Sequence, residues 1–156
     1  MKHTFKITLA AFISMLASSA SAEDYTVSRL IDLDVSTQQA WNVVGDFCDI
    51  DDWHPAVSSC SLKVIDGSLH RILNTTSGAE FVEKRIAVEP GLSYTYSIVS
   101  SPLPVENYIA TLSVETLKST TITWEGRFKS DDPSMEDTIA GIYESGLAAV
   151  EEQFAE

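Results

Sequence analysis

From Tyr25 to Val35 the chain alternates, with Tyr25, Val27, Arg29, Ile31, Leu33 and Val35 on one side and Thr26, Ser28, Asp32 and Asp34 on the other. A period of two marks a strand with one buried face, and Leu30 is the apolar exception on its polar side. Ser36 stands where a helix N-cap belongs, and Ala40, Trp41, Val43, Val44 and Phe47 form an apolar stripe at helical spacing. Cys48 to Pro55 predicts one further helical turn, with His54 at a bend because a following proline disfavours helical backbone angles. Six more strands are predicted over residues 59–65, 69–75, 80–88, 93–100, 107–116 and 120–129, divided by turn signals such as Asp66-Gly67 and Glu89-Pro90-Gly91. After Asp131-Asp132-Pro133, with Ser134 as its N-cap, Ile139, Tyr143, Gly146, Val150 and Phe154 share one face of a long C-terminal helix. This order predicts an α+β fold in which a curved, seven-stranded antiparallel sheet wraps the last helix, with two short helices after the first strand.

Alternation also assigns faces. Ile122, Trp124, Gly126 and Phe128 point inward in the last strand, Tyr108, Ala110, Leu112 and Val114 in the one before, and Tyr94, Tyr96 and Ile98 in the one before that. Three tyrosines on one buried face imply either a polar network or an apolar cavity with polar handles; the alternative is that each hydroxyl reaches water at the rim. The strand over 80–88 is ambiguous. Its two faces are Val82, Ile86, Val88 and Phe81, Glu83, Arg85, Ala87, and pattern alone leans slightly towards placing Glu83 and Arg85 outside. Inside, the two charges would need pairing or a ligand.

The first 22 residues differ from the rest. Lys2 and Lys6 precede a mostly apolar run, Ile7 to Ala17, and the small-residue stretch Ser18 to Ala22 ends in the A-x-A pattern of a cleaved secretory leader. The expectation is a leader over 1–22, a single domain over 23–156, and a periplasmic or secreted protein with no membrane span, since the apolar run is too short for one. Without the leader, 8 basic residues face 23 acidic ones, a net charge of −15, which argues against nucleic-acid binding. In an oxidising compartment Cys48 and Cys60 read as a disulfide, with two free buried thiols as the rival reading.

Little in the sequence points to catalysis. No GxSxG, P-loop, HExxH or GxGxxG motif occurs, so neither a metal nor another cofactor is expected, and Asp49, Asp51 and Asp52 read as solvated loop charge. His54 is a candidate general base or a residue that fixes a loop, and Glu83 is a second acid/base candidate.

The segments Trp41-Asn42-Val43-Val44-Gly45-Asp46-Phe47, Trp53-His54-Pro55-Ala56-Val57, Pro102 to Tyr108, Trp124-Glu125-Gly126-Arg127-Phe128 and Tyr143-Glu144-Ser145-Gly146-Leu147 together resemble the SRPBCC superfamily. This is the START-like, Bet v 1-like helix-grip group, and its bacterial polyketide cyclase/dehydrase-like branch is the nearest match. The resemblance covers the whole chain after the leader and implies a deep cavity between sheet and C-terminal helix, entered between loops at 76–79 and 101–104. Plant abscisic-acid receptors of this group line that cavity with a Glu and a Tyr at positions matching Glu83 and Tyr108, which tips Glu83 inward; their His-Arg-Leu latch is missing here. The implied function is an exported protein holding a hydrophobic small molecule or lipid. Trp53, His54, Tyr96, Tyr108, Trp124, Phe128, Ile139 and Tyr143 would form its walls, and Arg71 and Glu83 its polar anchors. The alternatives are a cyclase- or dehydratase-like enzyme, and an accessory partner of a basic periplasmic protein, of the kind resembling methanol-oxidation accessory proteins.

Overall fold

The computed structural model describes residues 22–155, so the leader expected over 1–22 lies, but for Ala22, outside the described residues. The chain runs β1 (Glu23–Leu33), α1 (Thr37–Val44), α2 (Ile50–Trp53), β2 (Val57–Ile65), β3 (Ser68–Thr75), β4 (Glu80–Glu89), β5 (Ser93–Ser100), β6 (Glu106–Thr116), β7 (Thr120–Ser130) and α3 (Ser134–Phe154). The strands form one antiparallel sheet in the order β1-β7-β6-β5-β4-β3-β2. The predicted α+β helix-grip architecture is the one observed. α3 lies chiefly against β1, where Arg29 reaches Glu144 at 2.5 Å. Both side chains are well exposed, so this ion pair contributes at most about 1 kcal/mol.

Local chemistry explains most element boundaries. Ser36 accepts from the Gln39 N–H while the Gln39 side chain accepts from the Ser36 N–H, a reciprocal cap that starts α1. Asp66 and Gly67 both adopt positive φ, 48° and 74°, as the tight β2–β3 hairpin requires. At the other end the expected cap moves. Ser134 is the first residue of α3 and not its cap; Asp132 Oδ1 accepts from both the Ser134 N–H and hydroxyl, at 2.9 and 2.7 Å. Pro133, with φ already helical and no N–H to satisfy, displaces the capping carboxylate to the residue before it.

Two irregularities aim side chains at the interior. Asn107 sits at φ 52°, tolerable for Asn, and the β6–β7 register slips between Glu106 and Ile109, leaving Tyr108 turned inward. Against β5, β4 slips at Val82/Glu83 and again at Arg85/Ala87. These bulges are why a period-two reading of β4 is ambiguous. Glu83 is only 5% exposed while Ile86 and Val88 are 49% and 46% exposed, so Glu83 points inward, against the lean of the bare pattern, and Arg85 is half-buried.

The core joins Val27, Leu33, Leu112, Val114, Ile122, Trp124 and Phe128 of the sheet to Met135, Ile139, Tyr143, Leu147 and Val150 of α3. Cys48 and Cys60 are disulfide-bonded, tying the loop before α2 to β2. Among the described residues no helix is long and apolar enough to cross a membrane.

Candidate functional site

A cavity of about 90 Å³ lies between the concave face of the sheet, α2 and α3. Its apolar walls come from Ile50, Val57, Leu73, Phe81, Ile98, Leu103, Ile139 and Ile142, and its polar groups from Arg71, Glu83, Tyr96, Tyr108 and Tyr143. Sites for drug-sized ligands run to roughly 300–1,000 Å³, and an apolar cavity of roughly 150 Å³ already accepts benzene. In this conformation the space admits only a compact molecule. Of the two loops expected at the entrance, 101–104 contributes Leu103, whereas 76–79 contributes nothing beyond Thr75 at its root.

Arg71 is fully buried. On neighbouring strands it stands directly across from Glu83, and its Nε donates to Glu83 Oε2 at 2.5 Å. Nη1 donates to the Phe47 carbonyl at 2.8 Å, and Nη2 is buried with no partner. The guanidinium carbon lies 4.4 Å from the Phe47 ring centre, 4.8 Å from that of Tyr96 and 5.7 Å from that of Tyr94. Burial disfavours the charge, but the Glu83 carboxylate and the electron-rich tyrosines hold the guanidinium protonated. The pair is therefore a neutral unit with a positive edge.

Beside it runs a line of phenols. Trp124 Nε1–H donates to the Tyr96 hydroxyl at 3.0 Å; Tyr96 and Tyr108 hydroxyls are 3.4 Å apart, and Tyr108 and Tyr143 hydroxyls 2.5 Å apart. Burial pushes all three phenols above their ordinary value, Tyr96 and Tyr108 well above it, so they remain protonated O–H groups. Tyr143 also stacks on Trp124, with ring centres 4.4 Å apart. Of the two possibilities that the tyrosine pattern left open, both hold for Tyr96 and Tyr108, where a polar network forms part of the wall of an apolar cavity; Tyr94 joins neither, its hydroxyl buried without a partner.

His54 lies at the bend expected of it, 3% exposed. Its Nδ1 accepts from the Ala56 N–H at 3.1 Å, which leaves the ring proton on Nε2 to donate to the Ile142 carbonyl of α3 at 3.0 Å. Burial holds the imidazole below its ordinary value despite the second bond. With both nitrogens engaged by backbone, His54 fixes the loop after α2 onto α3 and presents carbon to the cavity. Gly146 makes that approach possible, since a Cβ there would fall 2.6 Å from the His54 ring and 3.0 Å from Trp53. Gly146→Ala is accordingly expected to destabilise the fold. An overpacking cost of about 1–3 kcal/mol opposes a helix-propensity gain of roughly 1 kcal/mol. Gly141→Ala on the exposed face, where a Cβ meets nothing within 4 Å, is expected to show the gain alone in parallel urea melts.

Most of the residues expected at the site, namely His54, Arg71, Glu83, Tyr96, Tyr108, Trp124, Ile139 and Tyr143, border the cavity. Trp53 and Phe128 do not. Trp53 packs behind Trp124 with ring centres 5.7 Å apart, and Phe128 is held between Tyr25 and Tyr108 at 5.4 and 6.1 Å. Both are buried, Phe128 on the inward face its strand position predicts, but other rings separate them from the space. Sequence reasoning missed Phe47, whose carbonyl and ring both hold Arg71, and the aliphatic wall of Leu73, Ile98, Leu103 and Ile142. Inward alternation was a usable signal for Leu73 and Ile98; none existed for a backbone carbonyl. Among the described residues no group of three or more potential metal ligands is assembled.

Comparison with known proteins adds the family. Residues 24–155 match the family model described as polyketide cyclase / dehydrase and lipid transport. The chain belongs to that family. In this member of the polyketide cyclase / dehydrase and lipid transport family a seven-stranded sheet wraps α3, with the cavity between them. No curated protein matches the chain in sequence. Among solved structures it is similar to an uncharacterised protein of Bacillus thuringiensis, 28% identical with a TM-score of 0.76, over 85% of this chain and 100% of that one. It is also similar to the protein XoxI of Bacillus cereus, 29% identical with a TM-score of 0.73, over 84% of this chain and 96% of that one. The ZhuI aromatase/cyclase of Streptomyces sp. R1128 shares the fold at 14% identity, TM-score 0.63, over 85% and 94% of the two chains.

Proposed function

We propose that this protein binds a compact, largely apolar molecule in the cavity between sheet and α3, and that it does so as an exported protein. The observation that carries the reading is an apolar cavity with a buried Arg71–Glu83 pair and three hydroxyls on its wall. A few polar groups converging on an otherwise apolar cavity are the pattern expected of a site that orients a ligand. Membership of a family that includes lipid transport supports binding in general. The volume of about 90 Å³ favours a small molecule over a lipid, which would require α3 to part from the sheet. Acid–base catalysis through His54 is disfavoured because both its nitrogens are spent on backbone. Export is supported by the leader pattern over 1–22 and by the Cys48–Cys60 disulfide.

Native mass spectrometry of the protein recovered from producing cells tests both parts. The expected result is a chain beginning after Ala22 that carries a stoichiometric, solvent-extractable adduct. Ile139→Trp, which fills the cavity, should lose that adduct and still melt cooperatively. An empty wild-type chain whose melting temperature does not move with a panel of compact apolar molecules would overturn the binding reading. An uncleaved chain would overturn export.

A further inference from the structure

One wall of the cavity is held shut by a neutral imidazole. His54 Nδ1 accepts from the Ala56 N–H at 3.1 Å, and Nε2 bonds the Ile142 carbonyl of α3 at 3.0 Å. His54, Ala56, Val57 and Ile142 all border the cavity. Pro55 and Ala56 are themselves exposed, and the part of α3 beneath the ring is Gly146, which has no side chain to grip the segment. The His54 ring is the clasp between residues 54–57 and α3.

A proton entering this ring goes to Nδ1, the nitrogen that Ala56 already uses. Two N–H groups would then point at each other, around an imidazolium only 3% exposed. The neighbouring groups do not relieve that charge. Arg71 of β3 opposes it, Glu83 of β4 is spent on Arg71, and Tyr96, Tyr108 and Tyr143 of β5, β6 and α3 stay protonated and neutral. β7 presents the uncharged Trp124; on α2, Asp51 is occupied by the Cys60 N–H, while Asp52 and Glu144 of α3 are exposed. The charged ring reaches water only by leaving α3. Ala56 transmits the movement, because its carbonyl accepts from the Thr76 N–H at 2.9 Å, at the start of the 76–79 loop. Resting on the binding reading above, we propose that His54 is an acid-released clasp: a proton taken up at Nδ1 frees residues 54–57 from α3, opens the cavity wall between α2 and α3, and speeds exchange of the occupant. The closed state favours the neutral ring and the open state does not. The clasp is therefore intact above the ordinary histidine value of 6.5 and is lost progressively as pH falls below it.

Xenon, small enough for a cavity of about 90 Å³, serves as the probe. On the full, disulfide-bonded chain, hydrogen exchange reports the protection of the Ala56 amide, and xenon saturation-transfer NMR reports the exit rate of the bound gas. Between pH 6.5 and 5.5 protection at Ala56 is expected to fall about tenfold and xenon exit to quicken by about the same factor, while core amides such as Leu112 keep their protection. His54→Gln should lose this pH dependence. His70→Gln, at the other described histidine, which borders no part of the cavity, should keep it. Constant protection and exit rate in wild type, the same pH dependence in His54→Gln, or its loss in His70→Gln would each overturn the clasp and leave the binding reading standing. Xenon that fails to bind at pH 7.5 would overturn the binding reading, with Ala56 protection still deciding the clasp.

Discussion

Glu83→Gln is expected to cost about 3–5 kcal/mol of folding stability, the usual result of leaving a fully buried charge without its partner. Arg71 is 0% exposed and its Nε is 2.5 Å from the carboxylate, so the uncharged amide leaves a cation that the interior cannot solvate. Domains of this size are stable by roughly 5–15 kcal/mol, so the urea midpoint of the variant should drop by a large fraction of the wild-type value. Arg71→Met combined with Glu83→Leu should recover most of the loss, because aliphatic side chains of similar volume remove both desolvation penalties together. A Glu83→Gln variant within about 1 kcal/mol of wild type would mean that water reaches the pair. The pair would then be unfit as the neutral, positively edged anchor on which the binding site is built.

Removing the Cys48–Cys60 bridge is the second large effect. The cysteines are 12 positions apart, and closing a loop of this length in the unfolded chain accounts for about 3 kcal/mol. Cys48→Ala with Cys60→Ala should therefore lower stability by about 2–4 kcal/mol, read from urea midpoints against the oxidised wild type. The bridge also has a local consequence. Cys48 directly follows Phe47, whose carbonyl accepts from Arg71 Nη1 at 2.8 Å and whose ring covers the guanidinium. If the bridge holds that segment in place as well as shortening the unfolded chain, its removal and Glu83→Gln will be non-additive in a double-mutant cycle. Additivity within about 0.5 kcal/mol would restrict the bridge to the unfolded state.

The fold was legible because its elements are written in two simple periods. Alternation at 25–35 and 120–129, the helical stripe from Ile139 to Phe154 and the Asp66-Gly67 turn each match their observed element to within about two residues. The α3 cap was misplaced by the same local logic applied one step too far, since Ser134 is a good cap residue but Pro133 before it is already helical. The candidate site was legible in part. Tyr96, Tyr108 and Trp124 announce themselves as large amphipathic rings on an inward face, and the family resemblance turned Glu83 inward where alternation alone did not. Phe128 carries the same inward signal and Trp53 was named by the resemblance, yet neither borders the cavity. Sequence gives direction from the backbone but not distance into the core.

By itself, then, the sequence determined the strand and helix order, the inward register of most strands, the meeting of α3 with the sheet and the chemical types available to the interior. These follow from interactions between residues two to four positions apart, which the chain specifies without reference to anything distant. Only the tertiary structure decided that Arg71 and Glu83 face each other across β3 and β4, and that Phe47, 24 residues before Arg71, completes its coordination. It also decided that His54 is consumed by the backbone of α3 and that about 90 Å³ is left unfilled. Those outcomes depend on strand pairing, on bulges that shift register by a residue, and on the sum of many side-chain volumes meeting from opposite sides. No local pattern encodes such quantities, because each is a small difference between large contributions from segments far apart in the chain.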